Sequence, residues 1–278
     1  MKRIVTVQDI SCVGKCSLTV ALPVISAMGV ETSVIPTAVL STHTAFKDFT
    51  FRDLTDDIEG IAEHWKKEKI AFDAIYTGYL GSFKQLKLVS NFFDDFKEDN
   101  TLIFVDPVMG DYGKLYTGFT QEFAFEMAKL CSKADIIVPN MTEASYMLGI
   151  DYIGEGYSQE YVKDILLKLS ALGPKQVVLT GVSFEPNILG VMGYDSATNK
   201  YFSYFNEKIN VNFHGTGDVF ASCCVGALMN GYSLEDSLKI AADFTVESIR
   251  KSIEDKDSRW YGVNFESAVP YLIKRIEK

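Results

Sequence analysis

The sequence predicts an α/β protein: a mostly parallel central sheet with helices on both faces and an antiparallel hairpin at its edge. Three observations carry that expectation. Short runs rich in Val and Ile alternate with segments of helical period from one end of the chain to the other. One pair of strand-like segments breaks the alternation and is separated only by Asp195-Ser196-Ala197-Thr198-Asn199, which has turn chemistry. The 278 residues, 47% hydrophobic and 23% charged, show no linker, repeat or low-complexity tract, so one domain spanning residues 1–278 is expected.

Taken in order, the strand candidates are 3–8, 32–40, 74–77, 102–106, 136–139 and 176–180. All are short and apolar, as strands buried on both faces should be. Helical periodicity fills 54–67, 83–96, 119–131 and 159–172, then 220–229, 234–251 and 265–276. The hairpin takes 187–194 and 200–205.

Composition excludes several functions. There are 27 Lys and Arg against 37 Asp and Glu, a net charge of −10, whereas a general binder of nucleic acid or anionic membrane needs a basic face. No stretch approaches the roughly 18 apolar residues of a membrane span. The opening run Ile4-Val5-Thr6-Val7 is too short for a secretory leader. The five cysteines are odd in number and scattered, so reduced thiols and a cytoplasmic setting are expected. Cys12 and Cys16, four apart, fit one helical face and read as small buried hydrophobes.

Four segments could carry chemistry. His214-Gly215-Thr216-Gly217-Asp218 precedes a long apolar helix. Its glycines let the backbone approach an anion, a helix N-terminus offers free N–H groups, and Asp218 can accept a proton from a hydroxyl. An ordinary capped turn explains the same residues about as well. Asp106-Pro107-Val108-Met109-Gly110-Asp111 follows a strand, at the edge where open α/β sheets bind ligands, and a carboxylate there suits Mg²⁺. Asn140-Met141-Thr142-Glu143 begins a helix after another strand; an N-terminal acid favoured by the helix dipole accounts for Glu143 alone. Tyr76-Thr77-Gly78-Tyr79-Leu80-Gly81 ends a further strand. All four lie at the C-terminal ends of expected strands, which favours one shared crevice over four unrelated caps. Neither a P-loop nor a dinucleotide glycine fingerprint follows a strand.

Together these segments resemble the ribokinase-like superfamily and, within it, the pyridoxal kinase family. Gly215-Thr216-Gly217-Asp218 carries the superfamily likeness; Ser41-Thr42-His43-Thr44 and Thr77-Gly78-Tyr79-Leu80-Gly81 point to pyridoxal kinases, and residues 8–29 match the family's first β-α unit in length. The resemblance implies ATP as co-substrate, Mg²⁺, room for a monovalent cation, a vitamin B6 compound as substrate and a homodimer. Asp218 would be the base, and Gly215, Thr216 and Gly217 would hold the transferring phosphoryl group. Asp106 and Glu143 would act on Mg²⁺ directly or through water, with Asn140 alongside. Thr180 would touch the nucleotide phosphates, Asp111 and Tyr116 would belong to a flap over ATP, and His214 would border the nucleotide. Thr44 and Tyr79 would line the ring pocket. Where the family has a serine after the glutamine of the first strand, this chain has Asp9. An acid there could pair with a pyridinium N–H or an amine, cap a helix, or mark a different substrate. A hydroxymethylpyrimidine or sugar kinase, or a silent ligand-binding protein on the same fold, are the rival expectations.

Overall fold

The structure, a computed structural model, describes residues 1–277. The chain separates into two compact units, residues 1–76 with 209–278 and residues 77–208.

The first unit opens with β1 (Arg3–Ser11), α1 (Leu18–Ala27) and β2 (Glu31–Leu40), followed by β3 (Phe51–Asp53), α2 (Thr55–Lys67) and β4 (Ala74–Thr77), whose last residue starts the second unit. Strand order is β4-β1-β2-β3. β1 and β2 are parallel, whereas the short β3 is antiparallel to β2 at the edge. Ile4, Val5 and Val7 are fully buried in β1, each contributing about 1.5–3 kcal/mol of hydrophobic stabilisation. β1 runs three residues past the expected end at Gln8. Its register against β2 slips between Gln8, opposite Pro36, and Ile10, opposite Val39, so β2 carries an extra residue where Asp9 sits. Such a bulge re-aims a side chain without ending the strand.

The second unit contains α3 (Phe83–Phe96), β5 (Leu102–Val105), β6 (Gly110–Asp111), β7 (Lys114–Leu115), α4 (Gln121–Cys131), β8 (Ile136–Ile137), α5 (Met141–Leu148), α6 (Gln159–Ser170), β9 (Gln176–Val182), β10 (Ile188–Asp195) and β11 (Lys200–Glu207). Its strand order is β5-β8-β9-β10-β11, with β5, β8 and β9 parallel and β10 and β11 forming the expected antiparallel hairpin. The hydroxyls of Ser82, Thr120 and Ser158 accept the N–H of the third residue of α3, α4 and α6, which satisfies one orphan donor in each helix.

The chain then returns to the first unit with α7 (Thr216–Met229), α8 (Leu234–Glu254) and α9 (Phe265–Ile276). α7 packs between α1 and α8, and its Cys223 and Cys224 are core residues. α1 had no period to read: it is apolar on nearly every side and carries Pro23. Cys12 and Cys16 precede it in a loop instead of sharing a helical face; Cys12 is exposed and Cys16 partly so, which corrects their reading as buried hydrophobes. Among the described residues, no helix is long and apolar enough to cross a membrane.

Candidate active site

In the first unit, the chain turns into α7 at Gly215, whose φ of 78° is left-handed. A β-carbon there would run into the carbonyl oxygen of Lys15, so only glycine fits both the conformation and the contact. Gly217 has open space around its α-carbon. Asp218 is the third residue of α7 and is half-buried. Burial pushes its carboxyl from the ordinary 3.8 up to about 7; the backbone N–H of Ser17 opposes that rise and the Asp9 carboxylate adds to it. A carboxylate poised near neutrality is matched to general-base work.

Asp9 is buried, and the Ser11 hydroxyl donates to its Oδ2 at 3.3 Å. Desolvation raises its pKa, partly offset by the hydroxyls of Ser17 and Ser11. Asp9 therefore does not cap α1. That position belongs to Ser17, whose hydroxyl makes no cap bond. Ser17 has φ 49° and ψ −133°, a region that non-glycine residues avoid at a cost on the order of 1–3 kcal/mol. The Cys16 thiol lies with the same acids; burial, then Asp218 and Asp9, push it up to about 12. The sequence could not reveal Ser17, because nothing in its residue type announces a positive φ.

The rest of that face is aromatic. His43 is packed, with Nε2 3.2 Å from the Tyr261 carbonyl and Nδ1 accepting the Ala45 N–H at 3.1 Å. The exposed His214 ring lies 5.2 Å from it, and Phe46 stands 4.6 Å from Trp260. Thr44 is exposed in the turn beside His43.

In the second unit, Asp106 is buried just past β5, its N–H bonded to the Thr77 carbonyl. Asn140 and Glu143 form a reciprocal capping box at the start of α5. Asn140 Oδ1 accepts the Glu143 N–H at 2.9 Å, and Glu143 Oε2 accepts the Asn140 N–H at 2.8 Å. Glu143 does more than cap: its Oε1 accepts the Met109 N–H at 3.2 Å, and Asn140 Nδ2 donates to the Gly110 carbonyl at 2.9 Å. The Asp106–Asp111 segment is thereby tied to α5. Burial raises the Glu143 carboxyl to about 8, opposed by the N–H groups of Asn140 and Met109 and reinforced by Asp111. Asp111, its carboxyl raised by burial, lies within β6 of the small β6–β7 hairpin, and Tyr116 follows β7 with its N–H donating to Met109 O at 2.9 Å. Thr180 pairs with Asn140 through an isolated bridge. Tyr79 packs its ring 5.5 Å from Phe119.

Among the described residues, no three His, Cys, Asp or Glu side chains are grouped to enclose a metal. The buried carboxyls of Asp106 and Glu143 are oxygen donors of the kind Mg²⁺ takes, one or two at a time, with phosphate oxygens and water completing its shell. Each unit thus brings its own expected residues together. Asp9, Asp218 and the glycine turn meet in the first. Asp106, Asp111, Asn140, Glu143 and Thr180 meet in the second.

Comparison with known proteins agrees with this reading of the fold. The family model for phosphomethylpyrimidine kinase matches residues 21–260. A protein from Bacteroides thetaiotaomicron VPI-5482, provisionally named a phosphomethylpyrimidine kinase and crystallised with pyridoxal, is 41% identical with a TM-score of 0.93, covering 98% of this chain and 95% of its own. The pyridoxal kinase of Lactobacillus plantarum is 29% identical with a TM-score of 0.89, covering 99% and 97%. The pyridoxal kinase of Dictyostelium discoideum is 28% identical over 242 residues, 81% of this chain and 77% of its own.

Proposed function

The chain belongs to the phosphomethylpyrimidine kinase family, together with its pyridoxal kinase relatives of ribokinase-like fold, and we propose that it phosphorylates the 5′-hydroxymethyl group of pyridoxal, pyridoxamine or pyridoxine with ATP. The observation that carries the proposal is Asp218: a carboxyl held near neutrality by burial, directly after a glycine turn at a helix start. In the proposed reaction Asp218 takes the proton of the substrate hydroxyl. The freed oxygen attacks the γ-phosphorus, and the bond to ADP breaks. Gly215, Thr216 and Gly217 present N–H groups to the moving phosphoryl oxygens. Asp106 and Glu143 hold Mg²⁺ directly or through water, with Asn140 beside them. Mg²⁺, when bound, neutralises phosphate charge. Thr180 meets the phosphates, and the β6–β7 hairpin with Asp111 and Tyr116 covers the nucleotide, with His214 at its border. Thr44 and Tyr79 contact the ring. The whole chain acts as one kinase domain, in the cytoplasm, as a homodimer.

The test is a substrate panel with ATP and Mg²⁺, read as phosphorylated product. Turnover of the B6 vitamers is expected. Product only from a hydroxymethylpyrimidine would support the second reading, which the family match favours. Absence of product from every alcohol offered would leave a ligand-binding role.

Asp9 sharpens the panel. A buried carboxylate facing a cationic nitrogen makes a charge-assisted hydrogen bond, about twice as strong as a neutral one. Asp9→Ser is expected to shift preference from pyridoxamine towards pyridoxal. Identical ratios of kcat/KM across the three vitamers would show that Asp9 does not read the substrate.

For the metal, Glu143→Gln is expected to raise the Mg²⁺ concentration giving half-maximal rate, because an amide replaces a carboxylate and turns a donor towards the N–H of Asn140 or Met109. Asp106→Asn should act in the same direction. Unchanged Mg²⁺ dependence in both variants would remove metal handling from these residues.

A further inference from the structure

We propose that Lys15 is a positioning residue that braces the glycine turn before Asp218, meeting it through a backbone contact and anchored in turn by Asn264 at the start of α9. The inference rests on the reading of residues 215–218 as the phosphoryl-transfer turn and adds a residue to it.

The contact comes first. A β-carbon at Gly215 would lie 1.8 Å from the Lys15 carbonyl oxygen, so the two backbones touch with no side chain between them. The stem of Lys15 is packed just as closely: a β-carbon at Gly262 would lie 2.4 Å from Lys15 Cβ. Lys15 thus meets glycine twice, once in the turn and once in the loop that leads into α9. Its neighbours in the chain are held from α1, where the Thr19 hydroxyl is shared between the carbonyls of Gly14 at 3.0 Å and Cys16 at 2.8 Å.

The ammonium is the anchor. Lys15 Nζ donates to Asn264 Oδ1 at 2.9 Å and to Glu266 Oε2 at 2.8 Å, and the side chain is only 15% exposed. Glu266 is exposed, and such a pair adds little by itself. Asn264 is buried and engaged at every side-chain polar atom. Its Nδ2 donates to Asp255 Oδ2 at 2.8 Å. Its backbone N–H donates at 2.7 Å to the Ser252 hydroxyl, which donates to the Ser248 carbonyl inside α8. Asn264 is the N-cap of α9, where a side chain ordinarily bonds its own helix, yet it makes no cap bond. A cap that leaves its helix to hold a lysine is explained if the lysine has something to hold. The links run from α8 through Asn264 and Lys15 to Gly215, each a hydrogen bond or a van der Waals contact. The N–H groups of the turn and Asp218 follow Gly215 directly. Without the brace they drift from the geometry that stabilises a moving phosphoryl group.

Lys15→Met keeps the stem against Gly262 and removes the ammonium, whereas Asn264→Ala removes the anchor without touching the turn. Both are expected to lower kcat about tenfold, with KM for the alcohol within about twofold, as when a reacting group is less well aimed. The double variant should be no slower than the slower single one, because both act through one link. Glu266→Gln should keep kcat within about twofold of the wild type. A further readout needs no substrate. The Val219 N–H donates to the Gly215 carbonyl at 3.0 Å, so its hydrogen exchange reports opening of the turn. In both single variants that exchange should quicken about tenfold, with Cys223 and Cys224 in mid-α7 unchanged. Lys15→Met decides the matter should Asn264→Ala fail to fold, since the latter also releases Asp255. If the wild type phosphorylates nothing while Val219 still exchanges faster in Lys15→Met, the kinase reading fails and the brace stands. Unaltered Val219 exchange in Lys15→Met overturns the proposal. So does equal acceleration along all of α7 with a lower Tm, which would make Lys15 a staple for the fold. With an active wild type, faster exchange at unchanged kcat overturns it too, because the brace would then position nothing.

Discussion

Asp218→Asn is expected to lower kcat by about 10²–10⁴-fold while ATP binding survives, the range general-base catalysis contributes. The amide keeps the size of the side chain and its place in α7 but cannot take the substrate proton. Wild-type kcat should rise with pH through about 7, where burial has put the carboxyl, and level off above it. The sign for stability is the opposite. Asp218 titrates near 7 in the folded chain and near 3.8 when unfolded, so the folded state holds the proton more tightly between these values. Stability therefore falls as pH rises from 3.8 to about 7. At pH 8 the Asn variant should be more stable than the wild type, by on the order of 1–2 kcal/mol after allowing for water at a half-buried group. A variant that loses activity and gains Tm identifies a functional charge held at a cost to the fold. Near-normal turnover in Asp218→Asn would take the base assignment away.

Gly215→Ala is expected to have the second-largest effect. The added carbon meets the Lys15 carbonyl, which belongs to the backbone and cannot swing aside, and the left-handed φ of 78° is strained for alanine. Displacing the turn should cost about 2–4 kcal/mol of stability and at least about 10²-fold in kcat. Gly217→Ala is the control. It has room for the carbon and no left-handed φ, so its Tm should stay near that of the wild type. Any loss of kcat in Gly217→Ala then reports closer backbone approach to the phosphoryl group. Equal Tm values for Gly215→Ala and the wild type would show that the turn yields, and would remove the steric argument.

Much of the architecture was legible without coordinates. β4, α3 and α9 begin and end where their apolar patterns do, because burial on one face or both writes a period into the residues. The hairpin of β10 and β11 was legible from its turn residues. The helix start at Asn140 and the first-turn place of Glu143 were legible, whereas the reciprocal capping box between them came only with the structure. The small β3 and the β6–β7 hairpin were not foreseen, since two or three residues carry no period.

The sequence by itself determined the α/β class, the glycine turn before Asp218 and the identity of most acids, because these depend on residue type and local spacing. Only the tertiary structure decided what those acids do to one another. Asp9 and Asp218 lie 209 positions apart, and the Asp9 charge reaches Asp218 only because the folded first unit buries both near one another. Glu143 reads as a helix-terminal acid in the sequence; its second bond, to Met109, exists because β5 and β8 are neighbours in the sheet and deliver the segments that follow them side by side. A carboxyl's pKa is set by the dielectric and the charges around it in space, and those are known only once the chain has folded.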